Sequence, residues 1–261
     1  MMKQLIKMEF KSSNQKIGVV LLGSVIIGVL VFLSGNNSLG EVPGRFLLPI
    51  LWMIALFAVV ILFINNIVTS FTKRVYSKEG YLALTLPVTS FQLVVSKLIV
   101  QLIWLVLIIA AMVMMVFLIG VSAGVNLGDL MSGIFEVIGN IFTDFTSLLI
   151  FLDSLVGVIF NIAVIWFFIS LTNTKITRSK RTLIAVIAYV AFGIILSNIL
   201  NMVYEGIFGS RLVYMIGNSV LYGNSSALQN YYLLNLLIHA GLFFLFLYGT
   251  IYLLDNHIEL E

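Results

Sequence analysis

Apolar runs alternate with short polar segments along the chain, and six of the runs are long enough to cross a bilayer. Each has about 17–25 residues, and at about 1.5 Å per residue a helix of that length spans the hydrocarbon core of roughly 30 Å. Charged residues, glycine and asparagine separate the runs. The pattern predicts six transmembrane helices, over residues 17–33, 46–70, 98–122, 148–171, 183–203 and 233–254.

Residues 1–16 differ from these runs because their lysines recur at helical spacing. Lys3, Lys7 and Lys11 lie four residues apart, and Leu5 falls on another face. A lysine near an anionic leaflet contributes about 1 kcal/mol of binding. We expect an amphipathic helix that lies in the headgroup layer and is retained, not cleaved as a signal peptide. A frayed tail is the alternative.

The composition excludes an ordinary soluble domain. Of 261 residues, 61% are hydrophobic and only 10% are charged, and the mean hydropathy is +1.14. Soluble domains average about 25% charged residues. We therefore predict an all-α polytopic membrane protein, with residues 1–261 in a single transmembrane domain. The absence of cysteine excludes disulfides, thiolate metal sites and a cysteine nucleophile.

The basic residues lie on alternate connections between the predicted spans. Residues 3–16, 73–97 and 175–181 contain four lysines or arginines each, which is twelve of the fourteen and leaves Arg45 and Arg211 for the other side. Lysine and arginine are enriched in cytoplasmic loops. We expect both termini and both basic loops to be cytoplasmic.

Two connections on the opposite side are too apolar for simple loops. Residues 126–147 place Leu130, Ile134 and Ile138 at helical spacing, and residues 204–232 are similar in character. Backbone that dips into lipid must be helical or covered by protein. We expect short helices at, or dipping into, the outer surface, and a cap over a central path is the alternative.

The motifs of several enzyme classes are missing from the sequence. It contains no GxxxxGK[ST] phosphate-binding loop and no HExxH metal motif, and no Ser-His-Asp set lies on compatible spans. We predict that the chain is not an enzyme, that it binds no metal or cofactor of its own, and that it does not bind nucleic acid.

Few polar side chains lie within the predicted spans. Counted from the ends of their helices, Asp153 and His239 fall near the outer headgroups, where a charge costs less than the ~3 kcal/mol of the bilayer centre. We interpret both as interfacial polar residues, with a role in lining a transport path as the alternative. Asn161, nearest to mid-membrane, is a further candidate for lining a path. No midplane carboxylate indicates ion-coupled transport, so the energy for uphill transport would come from outside the chain.

The basic connection at residues 71–97 combines charge with large apolar side chains. Tyr81 and Leu84 follow the charged residues, Pro87 ends any helix that precedes it, and Thr89 with Gln92 forms a capping box that starts the next helix. Apolar side chains rimmed by charge are typical of a partner-binding surface. The alternative is that they lie on the bilayer interface.

This connection resembles the first cytoplasmic loop of ATP-binding-cassette (ABC) exporter permeases of the second type. The residues that carry the resemblance are Lys78-Glu79-Gly80, Leu84, Leu86-Pro87-Val88, Ser90 and Ser96-Lys97-Leu98. The six spans and the amphipathic amino terminus also match the layout of the family, and the resemblance implies the plasma membrane of a bacterium. Two features depart from the family pattern: Glu79 directly precedes Gly80, and Tyr81 stands where threonine is usual.

The resemblance implies that this loop is a coupling helix, which docks in a groove of a separate ATPase subunit that binds ATP and magnesium. Two permease chains, identical or related, would form one transporter with two ATPase subunits. The docking residues it implies are Tyr76, Lys78, Glu79, Tyr81, Leu84 and Pro87. The expected cargo is amphipathic or hydrophobic, and a small antimicrobial or toxic peptide is the first choice. A lipid or lipid-linked glycan exporter, an ATP-independent carrier or channel, and a non-transporting scaffold are the alternatives.

Overall fold

Helices account for the regular structure of the chain wherever the structure describes it. The computed structural model describes residues 2–35, 47–72, 75–76, 89–122, 125–173, 181–210 and 225–256. Over these residues there are no strands, which confirms the predicted all-α class. The helices are α1 (Met2–Gly35), α2 (Leu47–Thr72), α3 (Ser90–Ser122), α4 (Leu127–Thr143), α5 (Phe145–Thr172), α6 (Arg181–Phe208) and α7 (Ser225–Asn256).

All of these helices except α4 are long and apolar enough to cross a membrane. Each contains most or all of one predicted span, so the prediction of six spans is confirmed. Helix α3 begins well before the predicted residue 98, because Thr89 caps it. The backbone N–H of Gln92 donates to the Thr89 hydroxyl over 3.3 Å, which is the bond expected of the predicted capping box.

Helix α1 joins the predicted headgroup helix and the first predicted span without a break at Lys16. Its lysines at positions 3, 7 and 11 are exposed, as expected for an amphipathic helix. On another face, side chains four residues apart are buried: Leu5, Glu9, Ser13 and Ile17. Helix α1 packs along α3, so this face has a protein neighbour. Residues 2–35 form one continuous helix.

The chain divides into two compact units. The first comprises Met1–Ser70 and Leu86–Val137, and the second comprises Phe71–Thr85 and Ile138–Glu261. In the first unit, Trp52 of α2 lies in a buried cluster with Leu56 and Ala111. Gly28 of α1 permits this packing, because a Cβ there would lie 2.5 Å from the Trp52 ring.

The second unit is built around α5, which packs against α6 and α7. Its core contains Phe160, Val164 and Phe246, and the rings of Phe167 and Phe192 pack edge-on against Phe246 at 5.1 and 5.2 Å. Such edge-to-face pairs stabilise a core beyond the area that they bury.

The predicted short helix within residues 126–147 is present as α4. A single residue, Asp144, separates it from α5, and its carboxylate accepts hydrogen bonds from the Ser147 hydroxyl and N–H, at 2.8 and 2.9 Å. These bonds keep the pKa of Asp144 below its usual value. Of the second apolar connection, residues 211–224 lie outside the described residues.

Candidate functional site

A hydrogen-bonded network of polar side chains links the three long helices of the second unit. Asp153 of α5 is buried, and its Oδ1 lies 3.0 Å from Nδ1 of His239 on α7. Its other oxygen, Oδ2, accepts a hydrogen bond from the Asn235 side-chain nitrogen over 2.8 Å. The Tyr204 hydroxyl of α6 donates to the Asn235 oxygen. We refer to Asp153, Tyr204, Asn235 and His239 as the α5–α7 polar network.

The hydrogen bonds of Tyr204 and Asn235 form a chain that leads to Asp153. Because the Tyr204 hydroxyl donates to the Asn235 oxygen, the Asn235 nitrogen faces Asp153 and donates to it. Oδ1 of Asp153 faces Nδ1 of His239, which donates to it in the tautomer that carries a hydrogen on Nδ1. Both oxygens of the Asp153 carboxylate then have a partner, which a carboxylate buried in a membrane helix requires.

Aromatic rings enclose the network. The Phe160 ring stacks on the His239 imidazole, with ring centroids 5.4 Å apart. The Tyr231 ring packs against the Tyr204 ring, with centroids 4.8 Å apart, and the Tyr232 ring packs edge-on against Tyr231, with centroids 5.4 Å apart. The Asp153 and His239 side chains are 12% and 19% exposed, so water has limited access to the pair, which favours their interaction.

The structure therefore brings together two residues that the sequence analysis treats separately. Asp153 and His239, interpreted there as independent interfacial residues, are paired across α5 and α7. Sequence reasoning did not place Tyr204 or Asn235 in a site. One signal for Asn235 exists: it precedes His239 by four residues, so both lie on the same face of α7.

Asn161, the other candidate for lining a path, lies apart from the network. Its side-chain nitrogen donates to the Gly157 carbonyl of its own helix over 2.8 Å, and its oxygen accepts from the Tyr189 hydroxyl at 2.9 Å. It is exposed, and its contacts join α5 to α6. This is an interhelical hydrogen bond of the kind expected within a membrane bundle.

A second buried ionic contact lies in the first unit, a few residues into α3. Lys97 is 2% exposed, although the sequence places it among the basic residues of a loop, and it forms an ion pair with Glu9 of α1. One turn further along α3, Gln101 accepts a hydrogen bond from Asn66 of α2 over 3.2 Å. Since Lys97 and Gln101 are four residues apart, one face of α3 holds both neighbouring helices.

The predicted docking residues lie mostly outside the described residues. These are Lys78, Glu79, Tyr81, Leu84 and Pro87. Tyr76 is described, and only 5% of it is exposed. Its ring packs against Phe71, which stacks on Trp166 at 4.9 Å between centroids. Burial raises the pKa of Tyr76 to about 12. Its side chain therefore packs within the second unit.

Among the described residues, no group of three or more histidine or acidic side chains is arranged to hold a metal ion. Comparison of the chain with protein-family models, with curated proteins and with solved structures finds no match.

Proposed function

We propose that this chain is the membrane-spanning permease subunit of an ABC exporter, driven by ATP that a separate subunit hydrolyses. The observation that carries the proposal is the connection at residues 71–97, whose sequence resembles a coupling loop and whose last residues form the capped start of α3. The six helices long enough to span a membrane support it.

The contacts of α3 supply a physical route for coupling. A partner that pushes on residues 71–97 would displace the first turns of α3. Lys97 and Gln101 lie in those turns and contact α1 through Glu9 and α2 through Asn66. A buried ion pair is costly to separate, because each charge loses its attraction to the other in a low-dielectric interior. Helices α1, α2 and α3 would therefore move together and open or close a path beside a second permease chain.

The proposed cargo is amphipathic or hydrophobic, with a small antimicrobial or toxic peptide as the first choice. Apolar side chains dominate the described spans, and fixed charges within them are few. A site that binds a sugar or an ion would need more polar partners than these. A lipid or lipid-linked glycan has the same apolar character and is the alternative.

A second candidate function is an ATP-independent carrier that uses protons. The observation that favours it is the Asp153–His239 pair, because ionisable residues inside a membrane bundle commonly belong to ion or proton pathways. A carrier of this kind would transport its cargo in proteoliposomes without any ATPase, and Asp153→Asn would abolish that transport.

The test is to express the chain together with any ATPase subunit that is encoded beside it, purify the chain with whatever binds it and reconstitute it in proteoliposomes. We expect an ATPase subunit to co-purify and transport of a labelled amphipathic peptide to require ATP. Replacing Glu79 and Tyr81 with alanine should abolish transport and cargo-stimulated hydrolysis while membrane insertion persists. Lys73→Ala, in the same connection, is the matched control and should retain both activities.

Two results would overturn the proposal. Unchanged transport in the Glu79 and Tyr81 variants would exclude the docking assignment. Full transport by the chain without an ATPase would exclude the exporter and support the carrier.

A further inference from the structure

Helix α4 has two chemically distinct arcs when its residues are placed at 100° intervals. The apolar arc contains Leu127, Leu130, Met131, Ile134, Phe135, Val137, Ile138, Ile141 and Phe142. The opposite arc contains only polar or small residues: Gly128, Asp129, Ser132, Gly133, Glu136, Gly139, Asn140 and Thr143. No residue interrupts either arc, so the helix is amphipathic along its whole length.

The apolar arc has little protein cover. None of the residues of α4 is buried, and Phe135 and Phe142 are 63% and 73% exposed. One edge of the arc touches α3, where Leu130 lies against Gly120 so closely that a Cβ on the glycine would meet it at 2.7 Å. The remainder forms an apolar stripe the length of the helix, and such a surface normally marks an interaction site.

The connections at both ends of α4 restrict where it can lie. It follows the end of α3 by four residues, and Val125 still donates to the Gly120 carbonyl over 3.1 Å. At its other end, Asp144 alone separates it from α5. Because α3 and α5 are both long enough to span a membrane, each end of α4 is held at the membrane boundary. Its 17 residues, roughly 25 Å of helix, must then lie along that boundary.

We propose that α4 is a membrane-surface helix whose apolar arc is covered by the lipid bilayer and whose opposite, polar arc faces water. It lies on the face opposite the amino terminus, since three spans precede it. Helices of this kind bury their apolar face about 5–10 Å into the boundary between headgroups and acyl chains. The bilayer, not a cap of protein over a central path, is the occupant that the tethering at both ends favours.

The charge on α4 determines which property of the lipid matters. The helix has no lysine or arginine, and its charged residues are Asp129 and Glu136. Electrostatic attraction to anionic headgroups therefore cannot hold it in place, in contrast to the lysines near the amino terminus. Its insertion rests on burial of apolar area and is expected to be the same in neutral and anionic membranes.

The chain has no cysteine, so single cysteines provide clean labelling sites for the test. Phe135→Cys and Phe142→Cys report on the apolar arc, and the matched controls Glu136→Cys and Asn140→Cys report on the polar arc. Each full-length variant is spin-labelled and reconstituted in phosphatidylcholine vesicles, with or without phosphatidylglycerol. Collisions with oxygen, which concentrates in lipid, and with a water-soluble nickel chelate are then measured.

We expect labels on the apolar arc to collide severalfold more with oxygen than with the nickel chelate, and labels on the polar arc to show the reverse. The ratios should not change when phosphatidylglycerol is added. Equal nickel access on both arcs would place the helix in water, and apolar-arc labels shielded from both reagents would show a protein cover. Either result overturns the proposal. None of these readings depends on an ATPase partner.

Discussion

At the scale of single residues, ionisable groups from distant parts of the sequence are paired. Glu9 and Lys97 are separated by 88 positions, and Asp153 and His239 by 86. Each pair joins two long helices within one unit. Where a charge is buried, its partner determines whether burial is tolerated, because an unpaired ion in a low-dielectric interior costs several kcal/mol.

Lys97→Met is expected to destabilise the protein because it removes the cation that is paired with the buried Glu9 carboxylate. The expected loss is about 3–5 kcal/mol, the typical cost of breaking a buried ion pair. Methionine at both positions should recover most of that loss. The measurement is thermal unfolding in detergent, followed by circular dichroism, with exposed Lys11→Met as the control. Equal stability of the three variants would show that the pair contributes nothing.

Tyr76 is expected to titrate at an unusually high pH. In the unfolded chain it ionises near pH 10, and in the folded protein burial raises its pKa to about 12. Above pH 10 the unfolded state has released this proton and the folded state still holds it. The stability contributed by neutral Tyr76 is therefore present below pH 10 and lost between pH 10 and about 12.

The measurement is the absorbance of tyrosinate during a pH titration. The wild-type curve minus that of Tyr76→Phe isolates one residue. A difference curve with its midpoint near pH 10, the ordinary pKa of tyrosine, would mean that the Tyr76 side chain is exposed to water.

At the scale of elements, local sequence signals predicted where α3 begins but did not predict that α1 is one continuous helix. Thr89 and Gln92 predicted where α3 begins, since a cap depends on residues within one turn. The change from basic to apolar sequence near Lys16 suggested two segments, whereas α1 continues through it. The decisive contact, packing of α1 along α3, involves residues about ninety positions apart and leaves no local signature.

Gly28→Ala is expected to weaken the contact of α1 with α2. The added methyl group would lie 2.5 Å from the Trp52 ring, which is itself 2% exposed and has little room to move. Overpacking of this kind costs about 1–3 kcal/mol. Gly23→Ala, on the same helix with open space around it, is the matched control and should be neutral or slightly stabilising. Thermal unfolding of both variants distinguishes steric overlap from a general effect of replacing glycine.

At the scale of the whole molecule, six spanning helices require that successive connections alternate between the two sides of the membrane. The α1–α2 and α5–α6 connections then lie on opposite sides. The first contains only Arg45 as a basic residue, whereas residues 175–180 contain Lys175, Arg178 and Lys180. The distribution of charge predicts that the second connection is cytoplasmic.

Single cysteines test this topology in the cysteine-free chain. We expect Asn37→Cys to react with a membrane-impermeant maleimide in intact cells, and Ser179→Cys to react only after the cells are permeabilised. Labelling of both after permeabilisation controls for accessibility. The opposite pattern would invert the topology and place residues 71–97 out of reach of an ATPase.

The sequence by itself determined the all-helical class, the six spans and the short helix α4, because hydropathy and helical periodicity are properties of contiguous residues. Only the tertiary structure decided that Lys97, counted among loop charges, is buried against Glu9 and that Tyr76 packs beneath Phe71. It also decided that Asp153 and His239 share one network with Asn235. Whether a polar side chain in a membrane helix faces lipid, headgroups or a partner depends on which helices pack together, and no local pattern in the chain encodes that choice.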